Sequence, residues 1–199
     1  NIIHLVLART ENAREGTAGI SLFAVPKFKI NDDGSVGEWN DVTTVGIEHK
    51  MGLKGSATCT LSYGENNDCY GWIIGEAPGE DGKGQGLSQM FVMMNEARLS
   101  TGMMALSCAG EAYFNARDYS KIRVQGNKLT DPKGPRVSII EHEDVKRMLL
   151  HQKACTEAMR ALIYKTYWYT DMTMASSDPD EIKYYDDMFM INNPLCKAY

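Results

Sequence analysis

At residues 75–86, GEAPGEDGKGQG, the hydrophobic rhythm of the chain changes. Before this stretch, apolar residues come in short runs rich in β-branched and aromatic side chains. After it they recur at three- and four-residue spacing for dozens of residues. A period near two belongs to strands and a period near 3.6 to helices. The switch therefore predicts an α+β fold: an antiparallel β-sheet or barrel segment, followed by an up-down antiparallel helical bundle.

The strand candidates are IIHLVLAR (2–9), GISLFAV (19–25), TVGIEHK (44–50), ATCTLSY (57–63) and CYGWIIG (69–75). NDDGSVG (31–37) and GENND (64–68) between them are turn chemistry. Pro26 is expected to end its strand or to lie on an edge, because it has no N–H for a sheet ladder. The glycines of 75–86 do not follow the spacing of a phosphate-binding loop. The stretch reads as a flexible hinge or surface loop, dividing a β-domain (1–83) from a helical domain (84–199).

From Leu87 the spacing predicts a helix to about Arg123. RVQGNKLTDPKGP (123–135) breaks it, and a second helix spans roughly 141–174. In SSDPDE, Asp178 is a good N-cap, Pro179 suits the first helical position, and Glu181 is placed for a capping box.

Composition narrows the function classes. The net charge is −5 with no Lys/Arg block, which argues against nucleic acid as a partner. No run of ~18 apolar residues predicts a membrane span. Five scattered cysteines, an odd number without C-x-x-C spacing, read as free thiols of a reducing compartment. Cys108 and Cys155 fall in helical patterns and are expected to be small buried residues. The four histidines show no metal-ligand spacing, so no metal site is expected. The chain opens on Asn followed at once by a strand pattern, and reads as a piece of something longer.

The most methionine-rich stretch, MFVMMNEARLSTGMM (90–104), is interrupted by Asn95-Glu96-Ala97-Arg98. Two readings compete. One is a solvent-facing stripe, with a surface arginine and a solvated asparagine. The other is a ligand-facing stripe, with the methionines 90, 93, 94, 103 and 104 as adaptable filler behind it. Asn95 and Arg98, three apart, share a helix face. Arg98 carries a fixed charge and five donors, which suits an extended anionic ligand.

Six segments settle a resemblance: NIIHLVLART, GISLFAVPKF, IEHKMGLKGSATCTLSYG, MMNEARLSTG, YSKIRVQG and IIEHEDVKRMLL. Singly each is weak, but in this order along nearly the whole chain they resemble the acyl-CoA dehydrogenases of the large bacterial type. The resemblance implies the second half of a middle β-domain and the first three helices of a C-terminal helical domain. The segment that holds the flavin ring and the Tyr-Glu-Gly-Thr stretch that carries the usual base are expected outside it. On that reading the chain holds no catalytic residue and has no activity alone.

The implied reaction is α,β-desaturation of an acyl-CoA thioester, with FAD as cofactor and an electron-transferring flavoprotein as electron acceptor. A homodimer or dimer of dimers is implied, in the cytoplasm or, in a eukaryote, the mitochondrial matrix. By position Asn95 and Arg98 match the family's CoA-binding pair. Arg123 and Gln125, with Gly126, match a turn that contacts the FAD of another subunit. The alternative for Arg123 is a helix-end arginine complementing the dipole. His142 sits where relatives carry His-Gln near the same flavin, and Glu143 stands here in place of the glutamine. Some relatives keep the base directly before the arginine. Here that place is Ala97, and Glu96 lies about 100° round the axis, turned away. Two other outcomes stay open: a flavin-free oligomerisation scaffold, and an acyl-CoA oxidase.

Overall fold

The computed structural model describes all 199 residues, which form two compact units, Asn1–Val92 and Met93–Tyr199. In the first, β1 (Ile3–Arg9), β2 (Ile20–Pro26) and β7 (Trp72–Ile73) make a three-stranded antiparallel sheet with β2 in the middle. β3 (Phe28–Ile30) pairs with β4 (Val36–Trp39), and β5 (Val42–Ile47) with β6 (Cys59–Tyr63), both antiparallel. β2 ends on Pro26, as the missing N–H requires. β3 and β4 were hidden from pattern reading because they are short, and β4 takes over the last two residues, Val36 and Gly37, of the predicted turn at 31–37. The last predicted strand shrinks to the two residues of β7.

The core of this unit is small, with Leu22, Val25 and Val42 all buried. Much of the cohesion is polar and sits at one corner, Asn40-Asp41. Asn40 is fully buried. Its Nδ2 donates to the carbonyls of Pro26 (2.7 Å) and Tyr70 (2.8 Å), and its Oδ1 accepts from the Tyr70 N–H at 3.0 Å. One amide thus ties together the end of β2, the start of β5 and the approach to β7. Asp41, at φ 52°, turns its carboxylate onto the 64–68 loop. That carboxylate accepts from the Asn66 N–H (2.6 Å), the Asn66 Nδ2 (2.9 Å) and the Asp68 N–H (3.4 Å).

Burial pushes the Asp41 carboxyl up, but the Asn66 and Asp68 donors together outweigh it, and the net pKa lies below the ordinary 3.8. A carboxyl whose folded pKa is depressed stabilises the fold above its unfolded value. That contribution is lost as pH falls from 3.8 through the lower folded value. Acid unfolding of the β-unit below pH ~4 should therefore be shallower in Asp41→Asn than in the wild type. Parallel acid titrations by circular dichroism measure this, and identical pH slopes would remove Asp41 from the account.

The 75–86 stretch is not a flexible hinge. The Arg14 N–H donates to the Gly82 carbonyl and the Gly84 N–H to the Ala18 carbonyl, at 2.9 and 2.8 Å. Gly82 and Gly86 are buried. A Cβ at Gly82, Gly84 or Gly86 would collide with backbone of residues 12–22. The glycines serve close backbone approach, which composition alone cannot separate from flexibility.

The second unit is helical. α1 (Gly86–Ile122) begins in the first unit and runs into the second; α2 (Glu143–Ala175) and α3 (Pro179–Ala198) follow. Leu99, Leu106, Ile163 and Cys196 form its buried core, with Met103, Met159, Leu162, Tyr167 and Phe189 packed around them. Asn95 of α1 meets Met190 of α3, and Gly102 meets Cys196, so these two helices run the same way. Gly102 also lies against Ile163 and Gly110 against Thr156 of α2, so α1 and α2 are antiparallel. The arrangement is up-down-up.

Two expectations change here. Cys108 is exposed and Cys155 half-buried, while the fully buried thiol is Cys196. The methionine stretch also divides: Met103 packs on the core, whereas Met93 and Met104 are exposed. At the start of α3, Asp178 caps as expected, its carboxylate accepting from the Asp180 N–H at 2.9 Å. Glu181 does not close a capping box. The Asp178 N–H goes to Ser176 Oγ, and that hydroxyl donates to Glu181 Oε2 at 2.7 Å.

Candidate functional site

The sequence-predicted residues gather into two places in the helical unit. The first is the Asn95–Arg98 face of α1. Asn95 is 9% exposed, which excludes a solvated stripe. Its Oδ1 accepts from Arg98 Nη1 at 3.1 Å and its Nδ2 donates to Met190 Sδ at 3.3 Å. Arg98 is half-buried and Glu96 is exposed, so the two charged residues of the cluster lie in different environments. A neutral amide aims the guanidinium without cancelling its charge, which an anionic ligand requires. Met190, 95 residues away in sequence, could not have been paired with Asn95 by any local pattern.

The second place is the turn after α1. The Arg123 N–H closes the helix onto the Tyr119 carbonyl. Residues 123–126 then lie against 137–139 as a short antiparallel ribbon. The Gln125 N–H donates to Val137 O, the Val137 N–H to Gly126 O, and the Ile139 N–H to Arg123 O, at 2.8–3.0 Å. The Arg123 guanidinium donates to Gln125 Oε1 at 3.3 Å and not to a carbonyl of α1. A cation directly after Ile122, the last residue of α1, also complements the helix dipole, so both readings of Arg123 stand at this point.

His142, the residue before α2, brings its Nε2 to 2.7 Å from the Gln125 carbonyl. A carbonyl only accepts, so Nε2 carries the proton there. Gly126 holds φ 74°, a left-handed conformation that favours glycine, and lies against the His142 ring. His142 also lines a cleft of about 170 Å³ with Lys128, Thr130, Glu141 and Lys146. In that cleft the hydrogen bond and charge of Lys128, 3.0 Å away, hold the Glu141 carboxyl below its usual range. Glu143 is exposed and pairs with Lys146.

The donor set of this turn fits an anionic, phosphate-bearing group. It combines an exposed guanidinium and an exposed primary amide, with His142 bracing the turn through the Gln125 carbonyl and its one neutral-form N–H already used there. Among acidic neighbours, Glu141 is neutralised by Lys128 and Glu143 by Lys146.

An α+β chain with a small antiparallel β-unit, an up-down-up helical unit and an amide-aligned arginine on its first long helix defines the class. The chain belongs to the acyl-CoA dehydrogenase family. The family model "Acyl-CoA dehydrogenase, C-terminal domain" matches residues 84–185, just over half of the chain. The chain is 62% identical over all 199 residues to a butyryl-CoA dehydrogenase of Syntrophomonas wolfei subsp. wolfei, of which it spans 32%.

Among solved structures, it resembles the butyryl-CoA dehydrogenase of Megasphaera elsdenii (TM-score 0.59, 26% identity, 82% of this chain, 36% of that one). It shares the fold of Caenorhabditis elegans ACDH-11, solved in complex with C11-CoA (TM-score 0.72, 23% identity, 99% of this chain, 30% of that one). The chain therefore spans about a third of the length of the relatives it matches. No helix in it is long and apolar enough to cross a membrane.

Proposed function

We propose that this chain is the CoA-binding and flavin-contacting part of an FAD-dependent dehydrogenase that desaturates short acyl-CoA thioesters. Residues 1–83 would belong to its middle β-domain and 84–199 to its C-terminal helical domain. The single observation that carries the reading is the Asn95–Arg98 hydrogen bond on α1 of a family member. The amide holds a cationic fork towards an extended anionic ligand, here the CoA portion of the thioester. The 62% identity to a butyryl-CoA dehydrogenase favours a short acyl chain.

Arg123 and Gln125 would take the diphosphate side of FAD, with His142 holding their turn in place, and FAD, when bound, supplies the hydride acceptor. Glu96 is exposed and has no part in proton removal on this reading. The enzyme would work as a cytoplasmic (in a eukaryote, matrix) homodimer or dimer of dimers that passes electrons to an electron-transferring flavoprotein. The test is flavin absorbance of the full-length protein and its bleaching by butyryl-CoA. Colourless protein that takes up no added FAD would overturn the reading in favour of a scaffold.

Arg123→Ala is expected to weaken FAD binding by about 10- to 100-fold, since a hydrogen bond to a charged group contributes roughly 1.5–3 kcal/mol. If the flavin is shared between subunits, the dimer weakens with it. A role limited to the helix dipole would contribute only ~0.3–1 kcal/mol and leave FAD affinity unchanged. FAD titration of the stripped variant, with parallel sizing, decides between them.

A further inference from the structure

Resting on the reading of Asn95 and Arg98 as ligand-binding, we propose that Met190 of α3 is a positioning residue for the Arg98 guanidinium. The argument is one of donors and acceptors. A primary amide has two different ends, and its function depends on which end faces the arginine. Arg98 can only donate and a thioether can only accept. Asn95 stands between them, with Oδ1 3.1 Å from Arg98 Nη1 and Nδ2 3.3 Å from Met190 Sδ.

That order is the one that satisfies both neighbours. Rotating the amide by 180° about its last torsion would set NH2 against guanidinium and carbonyl oxygen against sulfur, losing both contacts. Met190 thus holds the amide in the orientation that presents its oxygen to Arg98. Asn95 is 9% exposed and Met190 is 49% exposed, so the amide end of the contact is shielded while the thioether lies over it at the surface.

The same logic accounts for an amide at 95 in place of a carboxylate. Aspartate would hold the guanidinium more strongly, but it would neutralise the charge meant for the ligand and could not donate to the sulfur. It also makes α3 part of the site. The helix that carries Met190 reaches α1 again less than two turns later, where Cys196 meets Gly102. The stretch of α3 that carries Met190 is therefore anchored by its neighbours Phe189 and Cys196 in the core, while the Met190 side chain itself lies at the surface.

The experiment uses the full-length holoenzyme and measures the dissociation constant of butyryl-CoA for four proteins: wild type, Met190→Leu, Arg98→Ala and the double variant. Leucine keeps the volume and removes the acceptor. Met190→Leu is expected to weaken binding about 2- to 10-fold, the worth of a neutral hydrogen bond, and Arg98→Ala about 10- to 100-fold. The two losses should not add: Met190→Leu in the Arg98→Ala background should cost nothing further. Met190→Gln, which restores a side-chain acceptor, should recover part of the affinity lost in Met190→Leu.

Wild-type binding by Met190→Leu, with Arg98→Ala impaired, would overturn the positioning role and leave the ligand reading intact. A Met190→Leu loss that persists undiminished without Arg98 would show a purely structural effect, and would equally overturn it. Wild-type binding by Arg98→Ala would remove the ligand reading itself, and this inference with it.

Discussion

Asn40→Leu is expected to unfold the β-unit under conditions where the wild type is fully folded. Leucine matches the amide in size, so the loss is not one of volume. It strips partners from three backbone groups at once, the carbonyls of Pro26 and Tyr70 and the Tyr70 N–H. A buried polar group left without its partner costs about 1–3 kcal/mol. Three such groups sum to roughly 3–9 kcal/mol, within reach of the ~5–15 kcal/mol that holds a whole domain together. The apolar core of the unit is too small to absorb that. Hydrogen exchange of the β2 and β6 amides would report it locally. Protection within a factor of a few of the wild type would mean that the corner is not what joins the strands.

Gly102→Val is expected to be the most damaging single substitution in the helical unit. A Cβ at Gly102 would lie 2.5 Å from the Cys196 carbonyl oxygen, and that oxygen belongs to the backbone of α3 and cannot rotate away. Helix propensity pulls the other way, since glycine in a helix interior is about 1 kcal/mol worse than alanine. Overpacking a close contact costs about 1–3 kcal/mol, and more where backbone must move. For alanine the two effects partly offset, and a modest net loss is expected.

Valine adds two methyl groups in the same gap and gains little propensity, so the steric cost prevails. A loss near 3 kcal/mol should lower the melting midpoint of a unit this size by about 10 °C or more. Thermal melts followed at 222 nm test it. A midpoint at or above the wild-type value in Gly102→Val would show that α1 and α3 are free to separate. Gly110 offers a contrast: its nearest neighbours are side-chain atoms of Arg160 and Thr156 at 3.8–3.9 Å, so alanine there should be tolerated.

Local physics determined much of this protein in advance. Hydrophobic period alone separates the strand-built first part from the helical second. Pro26 stops β2, and Asp178 with Pro179 starts α3, because each acts through its own backbone and its nearest neighbours. The pairing of Asn95 with Arg98 was legible for the same reason, since residues three apart on a helix share a face. So was the placing of Gln125, Gly126 and Arg123 in one turn.

What the sequence left open depends on residues far apart in the chain. Whether Asn95 faces solvent or interior turned on Met190, 95 positions on. Whether the glycines of 75–86 bend or pack turned on residues 12–22 lying against them. Cys196, and neither Cys108 nor Cys155, proved to be the buried thiol because α3 crosses α1 at Gly102. The Asn40-Asp41 corner looked like an ordinary turn, yet it gathers backbone from three places. Burial and hydrogen-bond partners at such positions are set by which surfaces meet, and that is a property of the packed chain rather than of any window along it.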